Sequence, residues 1–100
     1  MSKTVNLAVQ VLPLGISKEE AYKIIDEAIL SIKSSGLQHV VCPFETVIEG
    51  PYDEVMKAVN ALQDACKNAG ASEVLINMKL HRSFEKDLAI TDKTGKYPKP

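Results

Sequence analysis

The chain has 100 residues, 45% of them hydrophobic and 25% charged, with five Gly and five Pro. That supports one domain with a real core, and it excludes collagen-like, disordered and disulfide-scaffold classes. A net charge of -1, 5% aromatics and no Trp provide neither the positive field nor the stacking platforms of a nucleic-acid binder.

In chain order, residues 4–12 alternate. Val5, Leu7, Val9 and Val11 point one way, and Asn6, Ala8, Gln10 and Leu12 the other, which predicts a strand ended by Pro13-Leu-Gly15. The apolar run from Leu7 to Leu12 is broken by Gln10, so it does not read as a secretory signal. Nowhere does an apolar run approach the ~20 residues of a membrane span. Ser17-Lys-Glu-Glu20 is a capping box, and Ala21, Ile24, Ile25, Ala28, Ile29 and Ile32 then follow a one-sided helical period that Gly36 stops.

Gln38 to Phe44 predicts a second strand, with Pro43 suited to an edge or strand end. A tight connection around Phe44-Glu45 leads into a third strand, Thr46–Gly50. From Asp53 the helical period returns through Val55, Val59, Leu62, Cys66 and Ala69, closed by Gly70. Glu73–His81 alternates as a fourth strand, with Leu75, Asn77, Lys79 and His81 on one face. Residues 82–100 are polar, with one weak apolar piece at Leu88-Ala-Ile90; a short hairpin or an ordered arm is expected there, with the last few residues mobile.

An internal echo organises these elements. Lys33-Ser-Ser-Gly36 before one strand is matched by Lys67-Asn-Ala-Gly70 before another. Two such halves make an α+β, ferredoxin-like βαββαβ sandwich, with core residues about 4–81 and an antiparallel sheet of order 4-1-3-2. Right-handed crossovers place both helices on one face of it. The other face then presents Asn6, Ala8, Gln10, Leu12, Val47, Glu49, Leu75, Asn77, Lys79 and His81, a mixture that predicts burial against another copy around a small ligand or a water cluster. A wet dimer interface without ligand fits the same pattern.

Several chemistries lack their residues. An RNA-recognition domain of this topology needs aromatics in Thr46–Gly50, and a metallochaperone needs a C-x-x-C after strand 1; neither occurs. An acylphosphatase-like site needs an Arg in the loop after strand 1, whereas the single arginine is Arg82. His39 and His81 are isolated, so no catalytic residues and no metal ligands are assigned. Cys42 and Cys66 stand far apart and read as small hydrophobes in a reducing compartment, with the cytoplasm as the expected location.

The most informative segment is Cys42-Pro-Phe-Glu-Thr-Val-Ile-Glu-Gly50. It reads either as a hairpin with charged rims or as a recognition loop, in which a carboxylate accepts from an amino-heterocycle or offsets a cation. Here the sequence resembles the small thiamine-binding protein family, ferredoxin-like cytosolic proteins. The resemblance rests on Val9-Gln-Val-Leu-Pro-Leu-Gly15 with Ser17, on Gly36-Leu-Gln through Pro43-Phe-Glu-Thr-Val-Ile-Glu-Gly50, and on Ala69-Gly-Ala-Ser-Glu-Val running to Lys79-Leu-His81.

The resemblance implies a non-enzymatic binder of thiamine or its hydroxymethylpyrimidine half, needing no further cofactor. It also implies a homodimer or homotetramer with ligand between sheet and neighbouring subunit, and no nucleic-acid or membrane partner. Its motif falls on Thr46 and Glu49, with Pro43, Phe44 and Glu45 by adjacency; Gln10 and Asn77 join them from strand parity. The tail Arg82–Pro100 departs from the family's more charged, helix-like C-terminal part. An oligomeric interaction protein without ligand, and a small enzyme acting on a related metabolite, are the alternatives.

Overall fold

A computed structural model describes residues 2–97. The elements are β1 (Thr4–Pro13), α1 (Lys18–Ser34), β2 (Gln38–Val41), β3 (Thr46–Pro51), α2 (Tyr52–Asn68), β4 (Val74–His81) and α3 (Ile90–Thr94). The sheet order is β2-β3-β1-β4, every pair antiparallel, which is the ferredoxin-like order the echo implied.

Local chemistry sets the element ends. The Ser17 hydroxyl accepts from the Glu20 amide at 3.1 Å and so satisfies one orphan donor of α1. Gly36 (φ +77°) and Gly70 (φ +108°) take the left-handed conformations that stop α1 and α2, so the repeated Lys-x-x-Gly is a repeated helix stop. β2 is three residues shorter than the sequence suggested. The Cys42 amide donates to the Glu45 carbonyl at 2.8 Å, closing a loop around Pro43, which has no N–H for a ladder.

Register assigns the faces. Residues opposite one another share a face, so Leu7 with Ile48, Val9 with Thr46 and Val5 with Gly50 lie on one side. There they meet Ile24, Ala28 and Ile32 of α1 and Val55, Val59, Leu62 and Cys66 of α2, forming a continuous core. At Gly50 a Cβ would stand 2.9 Å from the Leu37 side chain, so the glycine lets the α1–β2 connection close over β3. The other face carries Asn6, Glu49, Gln38 and His81 in one cross-strand row, and Ala8, Val47, Val40 and Lys79 in the next.

The C-terminal arm is built differently from a hairpin: no strand forms among its described residues. The Leu88 amide donates to the Thr4 carbonyl at 3.0 Å, and Asp87 accepts from the Thr4 amide at 2.7 Å, so the arm follows β1 beyond the end of β4. Leu88 is buried, and a third helix, α3, then lies against the open face. The expected mobility of the last residues concerns 98–100, which lie outside the described residues. No helix among the described residues is long and apolar enough to cross a membrane.

Candidate functional site

The site begins with α1. Ile24, Ala28 and Ile32 form its buried stripe, and Tyr22, Ile25 and Ile29 (i, i+3, i+7) form a second stripe beside it. That second stripe faces the Cys42–Glu45 loop. Between them opens a cleft of about 230 Å3, floored by Val9, Ala28, Ile32 and Thr46, all at most 5% exposed. The rim is exposed: Phe44 keeps 81% of its surface in water and Tyr22 56%. Among the described residues, Glu45 is the one charged residue that lines the cleft.

Five of the seven residues selected from sequence border this cleft: Pro43, Phe44, Glu45, Thr46 and Gln10. Gln10 belongs to it by position, since its side-chain carbonyl accepts from the Asn77 amide at 3.2 Å on the open face. Asn77 therefore lies on the far side of the sheet. Glu45 Oε1 stands 3.8 Å from Lys79 Nζ on that side, so the Cys42–Glu45 loop serves both the cleft and the open face. Lys79 is 81% exposed, and a pair that wet contributes little.

Glu49 is elsewhere. It lies three residues along β3 from Thr46, about 10 Å at the usual strand rise. Its carboxylate accepts from the Ile90 amide at 2.5 Å. Beside it Asn6 is 5% exposed, donating to the Leu88 carbonyl at 3.1 Å while its side-chain oxygen accepts from Lys93. The two most polar groups at this end of the open face are thus bound by the chain's own arm.

Tyr22 and Cys42 also line the cleft; Cys42 heads the segment singled out in the sequence without being assigned to the site, and Tyr22 lies outside that segment. Tyr22 was available in the sequence as the head of the i, i+3, i+7 stripe, set off from the core stripe by two positions. The histidines are apart: His39 Nδ1 meets the Leu37 carbonyl at 3.0 Å, and His81 stands on the open face opposite Asn6. No group of three His, Cys, Asp or Glu among the described residues is placed to hold a metal ion.

The family model for thiamine-binding proteins matches residues 7–98. The chain belongs to the thiamine-binding protein family. The match runs from β1 through the arm. A UPF0045 protein of Clostridium perfringens is 32% identical over 95 residues, covering 94% of this chain and 97% of its own. A domain of unknown function from Bacillus cereus superposes with a TM-score of 0.90 at 34% identity, covering 98% of this chain and 93% of that one. A Thermotoga maritima protein proposed for thiamine biosynthesis or salvage superposes with a TM-score of 0.85 at 25% identity, covering 95% and 99%.

Proposed function

We propose that this member of the family is a non-enzymatic, cytoplasmic binder of thiamine or its hydroxymethylpyrimidine half, and that the cleft between α1 and the Cys42–Glu45 loop holds the ligand. One observation carries the reading: the motif residues Pro43 to Thr46 converge on an apolar cleft whose single charge is a carboxylate. The hydroxyl of Thr46 would hydrogen-bond a ring nitrogen, and Glu45 would accept from an exocyclic amine or offset a cationic ring. Binding needs nothing more: the reading assigns no general acid, no base and no metal. The open face, with Leu75, Val40 and the Gln10–Asn77 pair, would pack on a second copy in a homodimer or homotetramer.

Calorimetric titration with thiamine tests this. Wild type is expected to release heat at micromolar ligand, and Glu45→Ala to weaken binding about tenfold, a charge-assisted hydrogen bond's worth. Glu49→Ala is expected to bind as wild type does, because its carboxylate is committed to Ile90. An absence of heat from wild type at high micromolar thiamine overturns the proposal. It would favour the second reading, an interaction protein whose exposed apolar face only builds an assembly.

A further inference from the structure

We propose that Tyr22 and Phe44 are a pair of aromatic jaws at the cleft mouth that select a cationic aromatic ring, so that the site prefers the whole cation to its neutral pyrimidine half and to its phosphate esters. This rests on the cleft being the ligand site. Three observations carry it.

The first is depth. The floor residues are almost fully buried, whereas Tyr22 and Phe44 project from the two walls into water. A volume of about 230 Å3 lies below the roughly 300–1,000 Å3 of ordinary ligand sites, so the interior encloses one ring and leaves a second at the mouth. The second is chemistry. The two residues are the cleft's only aromatics among those that line it, and both are large apolar groups left exposed. Their faces carry negative potential and attract cations. Lys18 Nζ stands 5.7 Å from the Tyr22 ring centroid, so that ring already attracts a cation, one that a bound cationic ring would replace. The third is charge. Among the described residues Glu45 is the one ionised group lining the cleft, and its exposed partner Lys79 offsets it only weakly, so a cation gains there and a phosphate does not.

A neutral ring that hydrogen-bonds beside Thr46 and a cationic ring held between the jaws satisfy all three. Thiamine has this composition, hydroxymethylpyrimidine lacks the cationic ring, and thiamine monophosphate adds an anion beside Glu45.

The test titrates these three compounds into wild type, Tyr22→Leu, Tyr22→Phe and Phe44→Leu. Both rings are exposed, so the variants should melt as wild type does, and circular dichroism checks it. Wild type is expected to rank thiamine above both other compounds. Each Leu variant should lose about fivefold for thiamine, the size of one half-exposed cation–π contact, and stay within about twofold for hydroxymethylpyrimidine. Tyr22→Phe should restore thiamine affinity. If wild type binds thiamine and the Leu variants bind it equally well, the jaws are wrong and the cleft reading stands. Tighter binding of the monophosphate than of thiamine overturns the charge argument. If wild type binds none of the three, the cleft reading fails and takes the jaws with it.

Discussion

Cys66 and Cys42 place the same side chain in two environments. Cys66 is 1% exposed on the inner stripe of α2, and burial pushes its thiol above the ordinary value of 9.0. Cys42 is half-buried at the cleft rim. In the native protein a disulfide reagent at pH 8 is therefore expected to titrate Cys42 within minutes and Cys66 only after unfolding. The sign of the pH effect follows from the raised value. The folded state holds the Cys66 proton more tightly than the unfolded chain does, so this contribution is intact below about pH 9 and declines as pH rises past it. Melting temperature against pH should fall more steeply above that point in wild type than in Cys66→Ala.

At the same scale, strand parity makes Glu49 and Thr46 legible as residues of opposite faces, and the register agrees with that reading. Parity cannot say that the Glu49 carboxylate meets Ile90, because that partner lies 41 residues along the chain and its contribution is a backbone amide that any residue type would supply. Glu45 read either as a charged hairpin rim or as a recognition carboxylate, because its environment is made by α1, which its own neighbours in sequence do not reveal.

The elements themselves were nearly all visible in advance, because each is written in local chemistry: the Ser17 cap, the two apolar helical stripes, the glycine stops, the alternation of β1 and β4. The arm was not. It is held by Leu88 and by bonds to Thr4, Asn6 and Glu49, and its sequence carries no period because it buries a single apolar side chain. That construction makes it separable. Leu88→Ala should cost about 2 kcal/mol, the low end for a buried leucine at the periphery, and lower the melting temperature by roughly 10 °C. Glu49→Ala should cost about 1 kcal/mol, since the Ile90 amide is left to water. Proteolysis of these two variants should cut first within residues 82–97. Cutting in the α1–β2 connection first would mean that the arm does not depend on those contacts.

Across the whole molecule, α1 and α2 lie over β1, β2 and β3, and β4 extends beyond their cover. Met78 and Leu80 therefore remain about half exposed on the helix side of the sheet, as Leu75 does on the other. Apolar surface on both faces of one strand is more than a monomer of this size gains by leaving in water. Sedimentation at micromolar concentration is expected to give a dimer or tetramer. Leu75→Lys with Val40→Lys should shift it to monomer without altering the circular dichroism; a wild-type monomer at all concentrations would refute the packed open face.

The position of β4 has one more consequence. No strand lies beyond it among the described residues, so its amides alternate between those bonded to β1 and those turned outward. In deuterated solvent the outward set should exchange at rates close to those of a free peptide, and the inward set should be slowed by orders of magnitude. Eight consecutive residues would then show a two-residue rhythm of fast and slow signals. Disappearance of that rhythm on raising the protein concentration would identify the edge, as distinct from either face, as a place where copies join.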